Sequence, residues 1–103
     1  MELINKNIEA IIRLCDQHNV KELYLFGSVL THSFNDSSDV DVLVQFDDID
    51  LNRYFDNYMD FKEGLEKVLS RSVDVIENQA IRNPIFRKIV DRDKKLIYER
   101  KSA

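Results

Sequence analysis

Ile4, Ile8, Ile11, Ile12 and Cys15 recur at the spacing of one helix face, with Glu9, Arg13 and Asp16 set between them. This period predicts an amphipathic helix over about 3–18, stopped at Asn19. Leu23-Tyr24-Leu25-Phe26 is an apolar run of strand length that ends at Gly27, where glycine permits a sharp turn. Val40, Val42 and Val44 alternate with Asp41, Leu43 and Gln45 in the period of a strand, and Asp36-Ser37-Ser38 before them reads as a turn. From Leu51 to Leu69 the apolar positions return to helical spacing, interrupted only by Gly64. Val73-Asp74-Val75-Ile76 predicts a third strand. Asn83-Pro84 sets a capping residue before a first-turn proline and opens a helix to about 90, after which Leu96-Ile97-Tyr98 supplies a last strand. The order predicts an α/β (α+β) fold in which helices pack on one face of a sheet.

Composition limits what such a fold does. The 103 residues are 44% hydrophobic, too apolar for a disordered chain, and no linker interrupts them, so one domain over 1–103 is expected. The longest uncharged stretch, 23–35, contains Gly27, Ser28, Thr31, His32 and Ser33 and is too polar to span a membrane. The N-terminus lacks the basic start and apolar block of a signal peptide, which makes a cytoplasmic location the default expectation. A single cysteine removes an internal disulfide framework and a multi-thiolate zinc site. The formal charge of −4 is uneven: 36–60 holds eight acids and one base, whereas 82–101 holds eight bases and three acids. The whole chain therefore does not read as a nucleic-acid binder, but its basic C-terminal part offers a face for a phosphate or an acidic partner.

Two groups of residues carry chemistry. Asp39 and Asp41 stand at i and i+2 at the head of the second strand, on one face and roughly 6.5–7 Å apart along the backbone. Like charges so placed need a hydrogen-bond network, a raised pKa or a cation, and hard oxygen ligands select magnesium or manganese. Asp74 interrupts an otherwise apolar strand, and three carboxylates on one sheet face would form a divalent metal site. Gly27-Ser28 follows the first strand, where a glycine allows close approach and backbone N–H groups and a hydroxyl donate to phosphate oxygens. Phosphate donors beside metal-holding acids are the combination that phosphoryl or nucleotidyl transfer needs.

Leu25-Phe26-Gly27-Ser28, ten residues, then Ser38-Asp39-Val40-Asp41-Val42-Leu43-Val44 resembles the signature of the polymerase-β-type nucleotidyltransferase superfamily. The chain's size is similar to its minimal nucleotidyltransferase (MNT) branch, and the resemblance extends through Val73-Asp74-Val75-Ile76, Asn83-Pro84 and Leu96-Ile97-Tyr98-Glu99. It implies a mixed sheet with flanking helices, two Mg²⁺ ions, and transfer of AMP from ATP to an acceptor hydroxyl. Asp39 and Asp41 would carry both metals, Asp74 would complete one site and help activate the acceptor, and Gly27 and Ser28 would bind phosphate. Many members of the branch pair with small helical HEPN toxins and act as antitoxins by transferring AMP to a toxin tyrosine. Where such proteins commonly continue with Arg, a small residue, Arg and Gly, this chain has Val29-Leu30-Thr31-His32, which removes arginine contacts to a triphosphate or partner.

Other readings stay open. A non-catalytic antitoxin would mask its HEPN partner by binding alone; a transferase acting on a small-molecule hydroxyl is disfavoured by a chain too short for a separate acceptor domain. An EF-hand over the Asp39 region fails, because Leu43 and Val44 stand where an oxygen ligand and a glycine are needed. His32 lies in the phosphate loop, either as a replacement for an arginine contact or as a plain surface residue. His18 reads as a helix C-terminal residue, Cys15 as a core thiol, and Asp47, Asp48 and Asp50 as a solvated loop and helix start. Tyr54, Phe55, Tyr58 and Phe61 cannot all fit one narrow stripe, which predicts one or two of them exposed at a partner surface.

Overall fold

The computed structural model describes residues 2–100. Four strands, β1 (Val20–Phe26), β2 (Val40–Phe46), β3 (Val73–Glu77) and β4 (Lys95–Glu99), form one mixed sheet in the order β3-β2-β1-β4. β1 runs antiparallel to both β2 and β4, while β2 and β3 are parallel. A parallel pair needs a crossover, and helix α3 (Leu51–Leu69) supplies it.

The predicted first helix is two, α1 (Glu2–Lys6) and α2 (Ile8–Gln17), broken at Asn7. The Asn7 side chain donates to the Leu3 carbonyl at 2.9 Å, the local competition by which asparagine interrupts a helix that the apolar period alone would continue. Asn19 does end α2, in the left-handed region at φ 59°, which asparagine reaches more readily than most residues. β1 begins immediately afterwards, three residues before the apolar run, because buried Val20 already alternates with exposed Lys21.

The expectation of helices on one face is corrected by α4 (Pro84–Asp93). On one face Leu23, Leu25, Val40, Val42, Val44, Val73 and Val75 pack with Ile4, Ile11 and Cys15 of α1 and α2 and with Phe61, Leu65 and Leu69 of α3. The alternate positions Phe26 and Leu43 pack with Val90 of α4 in a second, smaller cluster joined by Tyr24, Ile76 and Ile81. A strand buried on both faces reads as continuous rather than alternating, and Leu43-Val44 in the middle of β2 carries that signal.

On α3, Phe61 is fully buried, Tyr54 and Tyr58 are half-buried and Phe55 is exposed. Gly64 has a packing reason: a Cβ there would stand 2.6 Å from Leu14 Cδ2 of α2. Burial pushes the Cys15 thiol up to about 12, so it stays an inert core group. Asn83 caps α4 as predicted, its Oδ1 accepting from Ile85 N at 2.8 Å and Phe86 N at 3.1 Å. Phe61→Ala is expected to lower stability by about 3–5 kcal/mol and Asn83→Ala by about 1 kcal/mol in urea denaturation. A Phe61→Ala loss no larger than that of Asn83→Ala contradicts this account of the core.

Candidate active site

Asp41 and Asp74 are direct partners in the parallel β2–β3 register. Both belong to the strand positions that face α4, because their neighbours Val40, Val42, Val73 and Val75 fill the opposite core. Asp39 precedes β2 on an exposed turn, outside the ladder. Asp41 is half-buried and its pKa is raised, first by burial, then by the negative charges of Asp74 and Asp39. Among the described residues no basic side chain ion-pairs with Asp41 or Asp74. Among the described residues no three His, Cys, Asp or Glu side chains close into a ligand group.

Gly27 holds the opposite side of the site. It sits at φ +76°, and a Cβ added there would come within 2.4 Å of Asp41 Oδ2, so both its conformation and its proximity to the carboxylate require glycine. The chain then forms a 3₁₀ turn, Gly27–Leu30, anchored by buried Val29 and closed by Thr31, whose N–H and hydroxyl both donate to the Ser28 carbonyl at 2.9 Å. The Ser28 hydroxyl donates to the Asp39 carbonyl at 3.4 Å, tying this turn to the acid-bearing one. His32 is exposed in the turn that follows.

One contributor was not foreseen. A cleft of about 550 Å³ is lined by Gly27, Leu30 and Thr31 from the 3₁₀ turn and by Arg92 and Asp93 from the end of α4. It places a guanidinium beside a loop whose own residues 29–32 carry none. Arg92 now pairs with Asp93 through Nε–Oδ1 at 2.8 Å and Nη2–Oδ2 at 3.0 Å. The only sequence sign of it was the basic C-terminal segment, which does not say which base turns toward Gly27. A different concavity, about 560 Å³ and lined by residues including His18, Asp48, Asp50, Asp56 and Asp60, contains none of the motif residues.

The fold is that of a nucleotidyltransferase. The sequence profile described as polymerase β, nucleotidyltransferase, matches residues 9–103, and the chain belongs to that family of enzymes. A Methanocaldococcus jannaschii protein, provisionally named a protein adenylyltransferase, is 39% identical over 87 residues, covering 82% of each chain. A solved structure provisionally described as a minimal nucleotidyltransferase is 29% identical, with a TM-score of 0.75 over 91% of this chain and 92% of that one. The fold also matches a chain in the complex of tri-AMPylated Shewanella oneidensis HEPN toxin with MNT antitoxin, at 20% identity and a TM-score of 0.64 over 93% of this chain and 72% of that one.

The raised pKa of Asp41 sets a stability signature. Below the ordinary carboxylate range the group is neutral folded and unfolded, and it contributes nothing. As pH rises from the ordinary value to the raised one, the unfolded chain releases its proton first, so folding weakens, and above that window the full penalty persists. Asp41→Asn is therefore expected to unfold at a higher temperature than the parent at pH 7 with chelator present, an advantage that fades as pH falls through the carboxylate range. Equal melting temperatures at pH 7 contradict the charge crowding.

Proposed function

We propose that this chain is a Mg²⁺-dependent protein adenylyltransferase that moves AMP from ATP to a hydroxyl, a tyrosine of a HEPN-family partner, and thereby acts as an antitoxin. The observation that carries the reading is the register pairing of Asp41 with Asp74 against the Gly27 backbone, with Asp39 close enough to raise the Asp41 pKa. The named relative and the AMPylated HEPN complex support the donor and the partner.

The donor set suits Mg²⁺. Hard carboxylate oxygens carry excess negative charge, and Mg²⁺ is ordinarily held by one or two carboxylates plus substrate phosphates rather than by an all-protein cage. A closed ligand group in the chain itself is thus not required. Asp39 and Asp41 would hold two metal ions, with Asp74 completing one site. Bound there, the metals neutralise triphosphate charge and polarise the α-phosphoryl group.

The remaining roles fall to the chain. Backbone N–H groups of the Gly27–Leu30 turn would donate to phosphate oxygens, and the Ser28 hydroxyl would turn from its long bond to the Asp39 carbonyl to join them. Arg92 supplies the guanidinium that residues 29–32 lack, and its solvent-exposed pair with Asp93 exchanges readily for a triphosphate. The acceptor oxygen bonds to the α-phosphorus as the bond to pyrophosphate breaks, and the hydroxyl proton passes to an Asp74 carboxylate oxygen.

A second reading, a non-catalytic antitoxin that binds its partner, draws on the absence of a cation at residues 29–32. Incubation of the purified chain with ATP, Mg²⁺ and the HEPN partner, followed by mass spectrometry, separates the two. AMP addition is expected with the parent and background only with Asp41→Asn; partner protection without any AMP addition favours masking. Arg92→Ala is expected to raise KM for ATP by about tenfold, with a smaller change in kcat. An unchanged KM removes Arg92 from the site.

A further inference from the structure

We infer that Arg71 is the positioning residue for Asp39, acting through the backbone of the turn that carries it; the inference rests on the nucleotidyltransferase reading of the site. Asp41 and Asp74 are oriented by the β2–β3 ladder, whereas Asp39 lies beyond its end and depends on what holds the preceding turn.

One backbone group in each of Ser38, Asp39 and Val40 is held from outside, two of them by the adjacent residues Arg71 and Ser72 of the α3–β3 connection and one by Ser28 of the 3₁₀ turn. The Ser38 carbonyl accepts from Arg71 Nη1 at 3.0 Å, the Asp39 carbonyl accepts from the Ser28 hydroxyl at 3.4 Å, and the Val40 N–H donates to the Ser72 carbonyl at 3.1 Å. Arg71 Nη1 also donates to the Asn35 carbonyl at 3.0 Å, so one guanidinium nitrogen bridges the two ends of the 35–38 turn. The same guanidinium lies 4.7 Å from the centre of the Phe34 ring. Its Nε is buried and has no hydrogen-bond partner among the described residues, so the two carbonyl bonds and the ring contact are what hold the side chain.

The α3–β3 connection aims this arginine. Ser70 ends α3 in the left-handed conformation at φ 55°, and Glu66 Oε2 accepts from the Val73 N–H at 3.1 Å to fix where β3 starts. Arg71 therefore leaves a connection pinned on both sides and reaches a turn 33 to 36 residues earlier in the chain. Inside the turn, Asn35 Oδ1 accepts from the Ser37 N–H at 2.9 Å and the Ser38 hydroxyl accepts from the Asn35 N–H at 3.1 Å. These bonds shape the turn; Arg71 ties its 35 and 38 carbonyls to the β3 side of the sheet, where Asp74 stands, ahead of the Val40–Ser72 bond at which the ladder begins. Groups that orient metal-holding residues from behind commonly change metal affinity by about 10–100-fold when removed.

The test uses the full chain. Arg71→Met keeps the aliphatic length and removes both carbonyl bonds and the ring stack. Hydrogen exchange is expected to show the Ser38 and Val40 amides losing protection by about tenfold, with the Val42 and Val44 amides unchanged. In calorimetry of AMP-PNP binding, the half-saturating Mn²⁺ concentration is expected to rise about tenfold, while nucleotide affinity at saturating Mn²⁺ stays within about twofold. Arg71→Lys restores a donor without the planar stack and is expected to fall between parent and Met variant on both readouts; it decides the matter if the Met variant does not fold. Metal dependence in the parent with an unchanged half-saturating Mn²⁺ in the variants overturns the Arg71 inference alone. Nucleotide binding by the parent that is indifferent to metal overturns the site reading and the inference together.

Discussion

Parallel pairing of β2 with β3 in the register that sets Asp41 opposite Asp74 is the constraint on which the site rests. Burial enforces that register: Val40, Val42, Val44, Val73 and Val75 fill the core against α1–α3, and the period of two leaves the carboxylates to the other face. A slip of one residue in either strand would carry an aspartate into the core and a valine out of it, a change no hydrogen bonding there could offset. Because parallel strands need a crossover, α3 and its buried Phe61, Leu65 and Leu69 support the site although none of them approaches it.

That arrangement is stable in spite of its charges. Asp41 is half-buried beside Asp74 and Asp39, and its carboxylate sits in space that only a residue without a side chain at position 27 leaves open. A chain selected only for folding would place an asparagine or serine there. Functional sites are where such local cost is retained, and here the cost takes the form of negative charge that hard cations would balance together with that of a triphosphate. Arg92 lines the cleft beside Gly27, and Arg71 bonds to both ends of the 35–38 turn that leads into Asp39.

What the sequence could reveal follows the range of each interaction. Period-two strands at Val40–Val44 and Val73–Ile76, the Asn83 cap and the stop at Asn19 are written within a few residues and were legible. So was the Gly27-Ser28 and Asp39-x-Asp41 spacing that led to the family. The break at Asn7 was missed because a side chain's bond to a carbonyl four residues back leaves the apolar period untouched. The second layer under α4 was missed because Phe26 and Leu43 stand next to Leu25, Val42 and Val44, which face the first core. Arg71 and Arg92 were invisible for a stronger reason: each acquires its meaning from a contact across the fold, with Ser38 and with the Gly27 cleft, and nothing in its own neighbourhood announces it.

The central claim is that the crowded carboxylates of β2 and β3, facing the Gly27 turn, form a triphosphate site completed by a divalent cation. Calorimetric titration of the chain with AMP-PNP, with Mg²⁺ and again with chelator, tests it most directly. The account predicts saturable binding with Mg²⁺ that disappears with chelator and in Asp41→Asn. Binding of equal strength in chelator, or in Asp41→Asn with Mg²⁺, would contradict it.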